Sequence, residues 1–331
     1  MPFSALPKVE LHLHLDCSLS FDVVQQLDPQ IINEEKFREQ FIAPDKCRDL
    51  ADYISRSESA VVLMQDREAL QLVTDDLFKQ LQADNVIYAE IRFAPLLHTR
   101  KDLSAEEVVE AVNAAVEEQV NETGIEAGII LCTLRHYSED QSMETVKLVE
   151  QFSDSRVVGF DIAADEAGFP IDNHISAFEY ANEKGFNCTA HAGEACGAES
   201  VWETLINFKP SRIGHGVRSA EDDELLDYLK DHEIHLEVCP TSNVQTNVFD
   251  TISDHSINSL YEEGISLSVN TDTRTISNVT LEEEYQMLSD LFDWDVDQLL
   301  RCNIEAINHA FTDEQTKEKL RGIIREAYAN N

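Results

Sequence analysis

Short apolar runs recur along the chain, each followed by a stretch in which apolar residues return every three or four positions. The runs are Lys8–Leu15, Val86–Ala94, Glu126–Leu134, Val157–Ala163, Asn187–Ala192, Arg212–Gly216, His235–Cys239 and Ser266–Asn270. Most read as continuously apolar rather than alternating, the pattern of strands covered on both faces in a parallel sheet. The intervening stretches read as helices. Ser104 caps one of them, Glu107 completes a capping box, and Leu103 is set to staple against Val108. Val108, Ala111, Val112, Ala115 and Val116 then line a single helical face. Further helices are expected over Asp172–Glu183, stopped by Gly185, and over Ser200–Phe208. Two more are expected over Ser219–Asp231, with Ser219 as cap, and over Ile257–Glu263, stopped by Gly264. Strands alternating with helices imply βαβ units, and this many imply an α/β fold, a closed (β/α)8 barrel of the TIM type, over 1–331 as one domain. Asp16–Leu81 is too long for a single crossover and predicts extra helices capping the C-terminal mouth. Leu and Phe positions within Leu50–Leu81 read either as helical core or as an apolar lid.

Composition narrows the partners. Lys and Arg number 25 against 64 Asp and Glu, a formal charge of −39. Such a chain repels polyanions, so nucleic acid and anionic membrane are excluded as expected partners, while a neutral small molecule meets no such penalty. The acids are spread along the chain, which reads as a solvated surface rather than an interaction tail. The run Glu221–Glu224 opens an expected helix, where negative charge favours the dipole. No apolar run approaches the roughly 18 residues of a membrane span, and Met1–Leu6 lacks the basic and apolar regions of a signal peptide. Seven cysteines without a Cys-x-x-Cys spacing argue against a disulfide framework or a Cys-rich zinc module. Together these features predict a cytoplasmic protein.

The histidines are not scattered. His12 and His14 close the first expected strand with a period of two, which points both imidazoles to one side. His191 ends the fifth strand, His215 the sixth, and Asp272 follows the eighth. Singly, each is an ordinary core or rim residue. Together they converge on the C-terminal mouth, where active sites of such barrels are built. Three histidines and an aspartate suit a divalent transition metal, most simply one Zn²⁺ per chain with an open position for water; Fe²⁺, Co²⁺ and Mn²⁺ are also compatible. Glu194, in His191-Ala-Gly-Glu194, stands where a proton shuttle is needed. The His-x-Glu…Pro-Cys-x-x-Cys signature of cytidine-type zinc deaminases is absent, since Cys239-Pro240-Thr241 does not supply it.

The ordered segments His12-Leu-His14-Leu-Asp16, Phe160-Asp-Ile-Ala-Ala-Asp165-Glu166, His191-Ala-Gly-Glu194, Arg212-Ile-Gly-His215-Gly, Glu237-Val-Cys-Pro-Thr-Ser242-Asn and Ser268-Val-Asn-Thr-Asp272 resemble the motifs of the adenosine deaminase family. The resemblance implies that His12, His14, His191 and Asp272 bind zinc. It implies that Glu194 protonates purine N1 while hydroxide attacks C6, and that His215 orients or deprotonates the attacking water. Glu237 and Ser242 would support His215 from behind. Asp16 would contact the ribose 5′ hydroxyl, and Asp165 matches a site-lining acid of unassigned role. The implied activity is hydrolytic deamination of adenosine and 2′-deoxyadenosine, in purine salvage. The alternatives are another aminopurine (adenine or a 5′-modified adenosine) or, outside enzymes, a purine-binding relative without catalysis.

Three positions depart from the family pattern. Thr273 stands where a second Asp contacts purine N7, with Arg274 as a possible substitute. Ala164 stands where a Gly offers its N–H to purine N3, and Cys17 replaces a Gly. All three touch substrate recognition and none touches the metal set. Cys17 and Cys196 flank the expected site as packing or reactive thiols. His98, His136, His174, His232, His235, His255 and His309 belong to no recognised motif.

Overall fold

The computed structural model of the chain describes residues 3–329. Met1, Pro2 and the last two residues of the expected 1–331 domain lie outside them. Eight strands form one parallel sheet in sequential order. They are β1 (Lys8–His14), β2 (Val86–Phe93), β3 (Glu126–Leu134), β4 (Val157–Ala163), β5 (Asn187–Ala192), β6 (Arg212–His215), β7 (His235–Val238) and β8 (Leu267–Val269). The sheet closes on itself where Leu13 pairs in parallel with Asp272. There His14 N–H donates to Asp272 O at 2.8 Å and Asp272 N–H to His12 O at 3.0 Å. β8 is short, and the Asn270 side chain extends the seam, its Oδ1 accepting from Leu11 N at 2.8 Å and His12 N at 3.1 Å.

The strands are less uniformly apolar than their composition suggests. On β1, Lys8, Glu10 and His12 alternate with Val9, Leu11 and Leu13, and on β2 Glu90 and Arg92 alternate with Ala89 and Ile91, all buried. The apolar set meets the surrounding helices. The polar set pairs across the barrel interior, as the ion pairs of Arg92 with Asp161 and Glu237 require.

The helices follow the expected pattern with local corrections. Ser104 forms the expected capping box on Ala105–Thr123. The helix expected from Ser219 starts later: Val217–Glu221 is a short 3-10 turn, and Asp222 caps Asp223–Asp231 by accepting from Glu224 N and Leu225 N. A carboxylate facing two free amides outcompetes a serine hydroxyl. Asp172–His174 is likewise 3-10, and the helix proper is Ile175–Lys184, ended by left-handed Gly185. Between β1 and β2 the chain forms Phe21–Leu27, Glu34–Phe41, Leu50–Ile54, Ser57–Val61 and Arg67–Ala83. Leu70, Leu77, Phe78 and Leu81 join the main core, whereas Leu50 and Tyr53 pack with Cys17 and Ile276 in a separate cluster at the mouth. Three helices close the chain at Leu281–Phe292, Val296–His309 and Glu314–Ala329. No helix among the described residues is long and apolar enough to cross a membrane.

Candidate active site

The ends of β1, β5, β6 and β8 bring the predicted polar residues to one place. One atom from each of His12, His14, His191 and Asp272 lies within 4.8 Å of the others. His14 Nε2 and His191 Nε2 stand 3.2 Å apart, and Asp272 Oδ1 lies 3.4 Å from His12 Nε2 and 3.5 Å from His14 Nε2. The backbone is bent to achieve this. His215 and Asp272 have left-handed φ values of 61° and 63°, a conformation costing a non-glycine residue about 1–3 kcal/mol and common at functional sites. Gly214 leaves room for the His12 ring, since a Cβ there would stand 2.9 Å from its Cε1.

The outer nitrogens of two imidazoles face carboxylates. His12 Nδ1 is 2.9 Å from Glu237 Oε2, and His191 Nδ1 is 3.1 Å from Asp161 Oδ2. A neutral ring that donates on Nδ1 directs the Nε2 lone pair inward. His12 Nε2 is buried and has no hydrogen-bond partner. Burial pulls the pKa of His191 down and that of His14 to about 3, so both rings are neutral. Against the effect of burial, the neighbouring imidazoles hold Asp272 below the usual carboxylate range. Ser242 Oγ donates to Asp272 Oδ2 at 2.7 Å, which orients the other oxygen toward the cluster. Inward lone pairs, an anionic oxygen and an orphaned buried nitrogen make a donor set that fits a divalent metal.

Glu194 lies beside this group, its Oε2 3.6 Å from His215 Nε2. Burial, and then the charges of Asp272 and Glu166, push its pKa well above the usual carboxylate range. The loop bearing Glu194 is locked by Glu166, whose carboxylate accepts from the amides of Gly193, Glu194, Ala195 and Cys196 at 2.7–3.1 Å and from Ser200 Oγ at 2.5 Å. Gly193 makes the turn possible: its φ is +66° and a Cβ would stand 2.5 Å from Val201.

These groups open into a cavity of about 400 Å³, lined also by Asp16, Cys17, Tyr53, Ala164, Asp165 and Thr273. Asp16 is buried, with Oδ2 3.4 Å from Ala94 N and 3.7 Å from His98 Nε2. Ala164 holds a φ of +80° that glycine adopts without penalty. The Thr273 hydroxyl bonds Tyr53 OH, which in turn lies 2.6 Å from Ser277 Oγ. A larger hollow of about 490 Å³ is lined by Glu126, Arg156 and Asp313 but by no histidine.

Two sequence-based assignments are corrected. Arg274 does not reach the cavity, because its guanidinium is buried against Glu10 at 2.7 Å and Asp84 at 3.0 Å. Glu237 backs His12 rather than His215, and Ser242 backs Asp272. Of the two readings of Cys17 and Cys196, packing is the one favoured, since burial pushes both thiols up. Sequence reasoning gave no role to Arg92, nor to Asp161 and Glu166 within the motif that contains them. The available signal was ionisable residues inside apolar strands, as at Glu90, Arg92 and Asp161, since such groups are buried only when paired.

The chain is similar to known proteins over nearly its whole length. The profile of the family described as adenosine deaminase matches residues 7–327. The adenosine deaminase of Clostridium acetobutylicum is 34% identical over 321 residues, covering 95% of this chain and 96% of that one. That of Enterococcus faecalis is 34% identical over 328 residues, covering 98% and 97%. Among solved structures, an adenine deaminase from Arthrobacter aurescens superposes with a TM-score of 0.91 over 98% of this chain and 100% of that one, at 24% identity, a likeness of fold. Matched over nearly its whole length, the chain belongs to the adenosine deaminase family of hydrolases.

Proposed function

We propose that the chain deaminates adenosine and 2′-deoxyadenosine hydrolytically, to inosine and 2′-deoxyinosine plus ammonia, with one zinc ion held by His12, His14, His191 and Asp272. The observation that carries this reading is the buried Glu194 beside a four-residue donor set in a cavity at the barrel mouth. When bound, the zinc lowers the pKa of water to about 7 and so supplies hydroxide at neutral pH. Glu194 gives its proton to purine N1, which makes C6 electrophilic. Addition of hydroxide would give a tetrahedral C6; the proton of the new hydroxyl passes to the C6 amine, and the C6–N bond breaks to release ammonia and leave C6=O beside N1–H. Glu166 holds the amides around Glu194 so that its carboxyl meets the purine edge in one orientation. Seven free thiols suit the reducing cytoplasm as its compartment.

The cavity also favours a nucleoside over its neighbours. Asp16 offers a buried acceptor to a sugar hydroxyl, a contact that free adenine cannot make. A nucleotide phosphate meets Asp16, Glu58 and Asp165, and the arginine in the lining, Arg100, is already paired with Glu58 at 2.5 and 2.8 Å. Steady-state ammonia release tests this ranking. Adenosine and deoxyadenosine are expected to exceed adenine and AMP by about 100-fold or more in kcat/KM, the scale of losing a matched polar contact. Preference for adenine or AMP would overturn the substrate assignment.

A further inference from the structure

His215 presents one ring nitrogen to the site, and a chain of hydrogen bonds behind it determines which form that nitrogen takes. The chain starts at an unambiguous donor: the Ile257 backbone N–H donates to His255 Nδ1 at 2.9 Å. His255 Nδ1 is therefore an acceptor, and an imidazolium there would set two N–H groups head to head. The ring is neutral, with its hydrogen on Nε2; burial pulls its pKa down to about 3, in keeping with this. That Nε2–H donates to Asn243 Oδ1 at 3.2 Å. The amide of Asn243 is thereby oriented, and its Nδ2 donates to His215 Nδ1 at 3.1 Å. A neutral imidazole that accepts on Nδ1 carries its proton on Nε2.

The scaffold under this relay is rigid. Asn243 and Ser242 are adjacent on the helix Pro240–Gln245, so one short element holds both His215 and Asp272. Glu284 Oε1 accepts from Thr241 N at 3.1 Å and anchors that helix. His215 Nε2 faces Glu194 Oε2 at 3.6 Å, and His215, Glu194 and Asp272 each offer an atom to one common space.

We infer that Asn243 and His255 are positioning residues that lock His215 in its Nε2–H form, so that it gives a hydrogen bond to the attacking oxygen and takes no proton from it. The inference rests on the proposed reaction for its role, and on geometry alone for the tautomer. It separates the two functions that the sequence leaves open for His215, orienting and deprotonating, in favour of the first. It also gives His255, which matched no motif, a task at a distance from the cavity.

Two-bond proton–nitrogen correlation spectra of histidine-labelled protein, with and without zinc, read the tautomer directly. The expected spectrum has a pyridine-like Nδ1 and a pyrrole-like Nε2 on both His215 and His255. Asn243→Asp replaces the donor by an acceptor of the same shape. It is expected to move the His215 proton to Nδ1 and to lower kcat for adenosine about 100-fold, the upper range for loss of a supporting hydrogen bond, with KM nearly unchanged. His255→Gln keeps an N–H toward Asn243 and should retain the tautomer and most of kcat. A proton on Nδ1 of His215 in the unaltered protein would overturn the inference, as would an Asn243→Asp variant in which neither tautomer nor kcat moves. Expected spectra with no ammonia released from adenosine by the unaltered protein would uphold the lock and overturn the reaction.

Discussion

Replacing Glu194 by Gln is expected to remove nearly all turnover, by about 10²- to 10⁴-fold in kcat, the span attributed to a positioned proton donor. The change is narrow because burial and the charges of Asp272 and Glu166 already disfavour the charged form of Glu194. An amide of the same shape keeps the side chain's size and its hydrogen-bonding edge. The Glu166 contacts to the loop are made by backbone amides and survive. Folding, metal content and KM should therefore stay close to those of the parent protein, while N1 receives no proton. Metal analysis, thermal unfolding and steady-state kinetics on the same sample check this. A variant that keeps most of its kcat would show that the proton comes from another group.

Glu237→Gln should have the largest effect on stability. Its carboxylate is fully buried and lies 2.6 Å from Arg92 Nη2, 2.7 Å from Arg212 Nε and 2.9 Å from His12 Nδ1, and it accepts from Thr189 Oγ1 at 2.9 Å. Arg92 also pairs with Asp161 and Arg212 with Glu90, which leaves two guanidinium ions short of compensation when Glu237 is neutralised. Removing one partner of a buried ion pair costs about 3–5 kcal/mol, because the remaining charge stays desolvated. Most of the stability of an ordinary domain is then at risk. The same change leaves His12 Nδ1 without its carboxylate, which weakens metal binding by about 10- to 100-fold. Urea unfolding with a metal titration reads both effects. A loss of unfolding free energy of less than about 0.5 kcal/mol, the range of surface changes, would contradict this account of the barrel interior.

The barrel was legible because short strand-like runs rich in apolar residues recur in step with helical patterns along the chain. The six residues His12, His14, His191, Glu194, His215 and Asp272 were legible because each lies at or just beyond a strand end. What supports them was not. Arg92 and Glu237 are 145 residues apart in the chain, and nothing local on either strand names the other as partner. Reading β1 and β2 as continuous apolar runs also passed over the alternation that sends Glu10, Glu90 and Arg92 inward. Helix starts failed where two capping residues competed, as Ser219 and Asp222 did. Arg274 was offered to the purine because it follows Thr273, yet the first helical turn after Thr273 carries it away to Glu10 and Asp84.

Adenosine turnover by protein stripped of metal and then reloaded tests the central claim most directly. The account predicts no measurable ammonia release from the stripped protein, full recovery at one zinc ion per chain, and inosine formed in step with ammonia. Equal turnover with and without metal, or zinc bound at His12, His14, His191 and Asp272 with adenosine left intact, would contradict it.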